Sequence, residues 1–129
     1  MKFSKLMFIA MFTLLLISCS KEESDTPSNS VDPTSVITGK WWCFKPGTNT
    51  VAGQFFNTDG TWEQGNKGGS FNDKGNWKLE SNKKTITISN VKDNKGIAKT
   101  GWTYEITSAT AESLLMKFGI INMDLIPCK

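Results

Sequence analysis

From Val36 to Lys129, apolar and polar positions alternate in short runs broken by turn residues, the period of half-buried strands and not of helices. "ITGKWWCFKP" reads as a first strand that ends at Pro46, and "AGQFFNTDGTWEQ" as a hairpin turning at Asp59-Gly60. In "GNWKLESNKKTITISN", Trp77 and Leu79 alternate with Lys78 and Glu80, Asn82-Lys83 turns the chain, and Ile86 and Ile88 alternate with Thr85 and Thr87. "GWTYEIT" puts Trp102, Tyr104 and Ile106 on one face, and "SLLMKF" does the same for Leu114, Met116 and Phe118. "INMDLIPCK" alternates Ile121, Met123 and Leu125 with Asn122 and Asp124. Such a series predicts an all-β domain, an antiparallel barrel or a sandwich, over residues 36–129. The segment "SATAES" is either a helical turn or a tight hairpin loop, and "GNKGGSFNDKG" (65–75) is either a ligand-gating loop or, the reading favoured, a mobile hairpin end.

The chain before Val36 has a different texture. "MKFSK" is a short positive start, "LMFIAMFTLLLI" is apolar but shorter than the roughly 20 residues of a spanning helix, and "SC" follows. This is the layout of a secretory signal. Leu16-Ile17-Ser18-Cys19 resembles the bacterial lipobox, which implies removal of residues 1–18 and a lipid on Cys19. Residues 19–35 are rich in Ser, Pro, Asn, Asp and Thr, the composition of a flexible tether. Within them Lys21-Glu22-Glu23 is either a solvated part of the tether or, by resemblance, an outer-membrane export tag. The expected location is the bacterial outer membrane, lipid-anchored, with the exterior face implied by the tag.

Charge changes the picture only by exclusion. The chain has 15 Lys+Arg, all of them Lys, against 12 Asp+Glu; without Lys2 and Lys5 the count is 13 against 12. So even a balance gives no electrostatic footprint for nucleic acid. With no His and no Arg, no nucleophile–base pair can be assembled. Glu63 with Asp59 or Asp73 is the one carboxylate combination worth weighing, and these sit in turns or on polar strand faces. No calcium-loop spacing is present. The expectation is a protein that is not an enzyme and carries no cofactor or metal.

Gly39-Lys40-Trp41 on the first strand resembles the Gly-x-Trp signature of lipocalins. Together with "FFNTDGTW", "GNWKLE" and "YEITSATAESLLMKF" it makes residues 36–129 similar to the small lipocalin-like domains of bacterial lipoproteins. The resemblance implies an up-and-down barrel of about eight strands whose interior can take a small apolar ligand. It places Trp41 inside as an end plug, with Trp62, Trp77, Trp102 and Tyr104 either lining a pocket or filling the interior. Trp42, on the other face beside Phe44, then forms an exposed aromatic patch suited to a glycan or a partner protein. Two functions follow, a membrane-anchored carrier of a small apolar ligand or a surface accessory module.

In that barrel the first and last strands are neighbours. Cys43 and Cys128, an even pair in an oxidising compartment, are therefore expected to bridge the seam. Cys43 shares parity with inward Trp41, and Cys128 with outward Asn122 and Asp124. On this reading the bridge needs Pro127 to break the ladder and turn Cys128 across.

Overall fold

The structure, a computed structural model, describes residues 32–46 and 53–129. The expected leader, Cys19 and Lys21-Glu22-Glu23 lie outside the described residues. The chain enters the fold earlier than the tether boundary at residue 35 implied. Asp32 accepts the N–H of Thr34 and Pro33 opens the first turn, so a single-turn helix forms, α1 (Pro33–Ile37).

Eight strands follow: β1 (Trp41–Phe44), β2 (Gly53–Phe56), β3 (Thr61–Gly65), β4 (Asp73–Leu79), β5 (Thr85–Lys92), β6 (Trp102–Ala109), β7 (Leu114–Phe118) and β8 (Ile121–Pro127). Each pairs antiparallel with the next and β8 pairs back onto β1, closing an up-and-down barrel rather than a sandwich. The predicted turns are present. Gly60, at φ 84°, takes the left-handed position of the β2–β3 turn. The "SATAES" segment (108–113) finishes β6 and makes the β6–β7 hairpin loop, not a helix.

The interior holds one contiguous core. Trp42, Phe56, Trp62, Trp77, Ile86, Ile88, Tyr104, Leu114, Met116 and Leu125 are buried, so the predicted inward faces of β4 to β8 point inward except at one end, where Phe118 and Ile121 are exposed. The outer wall carries Lys78, Thr87, Glu105, Lys117 and Asn122. Strands of 4–8 residues with such a wall are neither long enough nor apolar enough to face lipid, where roughly 9–11 residues per strand are needed.

The first strand inverts the expected parity. Trp42 is fully buried and its indole N–H donates to the Ile37 carbonyl at 2.8 Å, whereas Trp41 is half-buried on the outer wall against Phe55. Phe44 packs on the core with Trp42, so the exposed Trp42–Phe44 patch does not exist. Cys43 is therefore outward, like Cys128, and the parity obstacle to the bridge disappears. The Cys43–Cys128 disulfide is formed, with the Cα atoms 5.0 Å apart.

α1 closes one end: Ile37 is fully buried in the core, and the Gly39 N–H donates to the Phe56 carbonyl at 3.0 Å. Three carboxylates near this end have pKa values below the usual range. Asp32 is lowered by the Thr34 backbone N–H, Asp59 by the Thr61 hydroxyl and N–H, and Glu80 by the Thr87 hydroxyl and then Lys78. Depressed folded-state values mean that their support is present above about pH 4 and is lost as the pH falls through the folded values. The urea midpoint should accordingly fall between about pH 6 and about pH 3. Asp59→Asn should narrow that difference, and an unchanged difference would remove Asp59 from the account.

Candidate binding site at the loop end of the barrel

In an up-and-down barrel the β3–β4, β5–β6 and β7–β8 connections share one end, here the end opposite α1. The exposed large hydrophobic residues among those described are all at this end. Phe71 lies in the first of these loops, Ile97 in the second, and Phe118, Ile120 and Ile121 form the third, with Ile120 99% exposed. Among the described residues the closed end has none.

Behind this rim runs a chain of edge-to-face aromatic contacts. Phe118 meets Trp102 at 6.4 Å and Tyr104 at 5.9 Å between centroids, and Trp102 meets Tyr104 at 6.2 Å and Trp62 at 5.3 Å. Exposure falls along it, from 44% at Phe118 to 2% at Trp62. Such contacts are favourable for quadrupolar rings and fix the orientation of each. The register explains the gathering, since Trp102 opens β6, Phe118 ends β7, and Tyr104 follows Trp102 on the same face.

Polar atoms lie beside the rings. Gln54 and Gln64 are cross-strand partners on β2 and β3, at the inward positions shared with Phe56 and Trp62. Trp62 Nε1 donates to Gln54 Oε1 at 3.0 Å, and the Tyr104 hydroxyl reaches Gln64 Oε1 only at 3.5 Å. Burial pushes the Tyr104 hydroxyl above the ordinary tyrosine range, with Trp102 and Gln54 acting the other way. It stays a neutral hydrogen-bond donor at physiological pH. At the rim, Lys99 Nζ lies 2.9 Å from both Asp73 carboxylate oxygens, so these two charges cancel.

Of the aromatic residues expected to line a pocket, the fold therefore brings together Trp62, Trp102 and Tyr104. Trp77 belongs to the closed end, where it meets Phe56 edge-on at 5.4 Å and donates to the Asn57 carbonyl at 2.8 Å. Trp41 is outside. Alternation of apolar and polar positions does not reveal Gln54 or Asn72. Asn72 is buried and organises the β3–β4 loop, accepting from the Asn66 N–H and donating to the Asn66 carbonyl and Glu63.

A concavity lies on the outer wall, a groove of about 300 Å³ lined by Phe55, Asn57, Thr61, Glu63 and Lys74. Trp41 stacks on Phe55 beside it, centroids 5.7 Å apart and planes tilted by 31°. Glu63 is turned onto Asn72 and makes no ion pair with its cross-strand neighbour Lys74. Among the described residues no group of three His, Cys, Asp or Glu gathers as a metal site.

No family model matches the chain, and neither the curated proteins nor the solved structures contain a significant match. The functional reading therefore rests on the sequence and the geometry.

Proposed function

We propose that this chain is a membrane-anchored, non-catalytic lipocalin-like lipoprotein that holds a small apolar ligand against the aromatic cluster at the loop end of its barrel. The observation that carries this reading is the segregation of exposed apolar residues to that end, continuous with the rings of Phe118, Trp102, Tyr104 and Trp62. Apolar surface that one end leaves in water and the other buries is a default binding feature. Titration of the purified protein with the neutral dye N-phenyl-1-naphthylamine should give saturable fluorescence enhancement. Trp102→Ala combined with Phe118→Ser should weaken it by at least about tenfold, because two rings that would cover the dye are removed. Dye binding absent in the parent protein, or unmoved by the double variant, would refute the reading.

Anchoring rests on Leu16-Ile17-Ser18-Cys19 behind an apolar run. Acylation at Cys19 with more than one chain gives durable attachment. A radiolabelled fatty acid should label the parent and not Cys19→Ala, and label retained by the variant would end the assignment. If Lys21-Glu22-Glu23 directs display, replacing all three by Ala should protect the lipidated protein from external protease.

The outer-wall groove favours a second reading, an accessory module at the cell surface. The Trp41–Phe55 pair offers an aromatic face, and Glu63, Lys74 and Thr61 offer hydrogen bonds beside it, as a glycan requires. Binding of an oligosaccharide abolished by Phe55→Ala, with dye binding intact, would select this alternative.

A further inference from the structure

One buried polar atom in the core is left without a partner inside the barrel. Gln54 is 1% exposed, and its Nε2 makes no hydrogen bond. Its orientation is fixed, because an indole N–H only donates and Trp62 Nε1 donates to Gln54 Oε1 at 3.0 Å. The amide N–H groups are thus directed away from Trp62, toward the Tyr104 hydroxyl, without reaching it as a hydrogen bond. A buried donor left unsatisfied is costly, and nearly all such groups in folded proteins have a partner.

Close by, the Tyr104 hydroxyl is a second under-used donor, its contact to the acceptor Gln64 Oε1 a long 3.5 Å. Gln54 thus lies beside Trp62 and Tyr104, two rings of the aromatic cluster that leads in from the rim. We propose that Gln54 Nε2 is the polar anchor of the ligand site, donating a hydrogen bond to a neutral acceptor, a carbonyl oxygen, carried by an otherwise apolar ligand.

The acceptor is neutral for an electrostatic reason. No lysine is among the buried residues, the chain has no Arg, and the charges of Asp73 and Lys99 at the rim already cancel. A buried carboxylate would meet no countercharge and would lose its hydration. A ketone, ester or amide oxygen would instead satisfy the Gln54 donor at little cost. The ligand class is a ketone-, ester- or amide-bearing aromatic or aliphatic molecule.

This inference deepens the proposed ligand-binding function and rests on it. The test uses a matched pair, acetophenone and ethylbenzene, which differ at the carbonyl, each competing with bound N-phenyl-1-naphthylamine. Acetophenone should displace the dye at about five- to tenfold lower concentration than ethylbenzene, the ordinary worth of one neutral hydrogen bond. Benzoate should displace it no better than ethylbenzene. Gln54→Leu should still bind dye and ethylbenzene but lose the preference for the ketone. If the dye does not bind the parent protein, the ligand-binding function itself fails and the anchor with it. If the dye binds but the ketone preference is absent, or survives in Gln54→Leu, only the anchor is overturned. A second measurement does not depend on that variant folding. Gln54 and Gln64 are the only glutamines in the chain, so glutamine-selective ¹⁵N labelling gives two side-chain amide groups, assigned with Gln64→Glu. Acetophenone should shift the Gln54 pair and ethylbenzene should leave it in place; an unmoved Gln54 amide would overturn the proposal.

Discussion

Removing the Cys43–Cys128 bridge, by reduction or by replacing both cysteines with Ser, is expected to lower the unfolding free energy by about 4–5 kcal/mol. The loop it closes is long, with a sequence separation of 85, so in the chain-entropy model it removes much freedom from the unfolded chain. Its place makes the loss matter more. β1 is only four residues long, yet it must hold both β2 and β8 to close the barrel. Cys128 follows Pro127 and its N–H donates to the Trp41 carbonyl at 2.8 Å, so disulfide and ladder fasten the same seam. Natural domains of this size have stabilities of about 5–15 kcal/mol, so the reduced protein should be marginal. Urea unfolding with and without reductant measures the difference. A loss below about 1 kcal/mol would mean that the β1–β8 ladder closes the barrel unaided.

The buried faces of β4 to β8 were legible because their alternation has contrast. In "NWKLE" and "TITIS" each apolar residue stands between polar ones, and a period of two then fixes which face is buried. The turns were equally plain, since Asp59-Gly60 and Asn82-Lys83 carry their chemistry locally. "WWCF" has no such contrast. Every residue is apolar, so either parity is consistent, and the Gly-x-Trp resemblance selected Trp41. The structure selects Trp42 through a residue outside the strand, the Ile37 carbonyl on α1. That helix is one turn long, too short to show any period, and its cues in Asp32-Pro33 lay inside a stretch with the composition of a tether.

The candidate site was half legible for the same reason. Trp62, Trp102 and Tyr104 announce themselves as inward aromatics. Gln54 does not, because a polar residue in "AGQFF" registers as an outward position until register places it beside Trp62. The segregation of Phe71, Ile97, Phe118, Ile120 and Ile121 to one end is a property of topology. No local pattern contains it, since the residues come from three loops brought together only when β8 returns to β1.

The inversion at Trp41 and Trp42 gives a second large expected effect. Trp42→Ala should cost about 3–5 kcal/mol, the usual range for deleting a buried aromatic side chain. Three contributions disappear together: a wholly buried indole, its N–H donation to Ile37, and the Lys40 ammonium 4.8 Å from the ring centroid. The empty volume would open where α1 meets the barrel, the place where Ile37 depends on it. Trp42→Phe keeps most of the apolar volume but deprives the Ile37 carbonyl of its donor. Its cost should therefore be smaller, about 1–3 kcal/mol. Trp41→Ala removes a half-buried ring that packs on Phe55 at the outer wall, and should cost about 1 kcal/mol or less. The three variants, compared by urea unfolding with the disulfide intact, should rank in that order. A Trp41→Ala loss equal to that of Trp42→Ala would mean that the first strand is turned the other way, and that Cys43 faces the core.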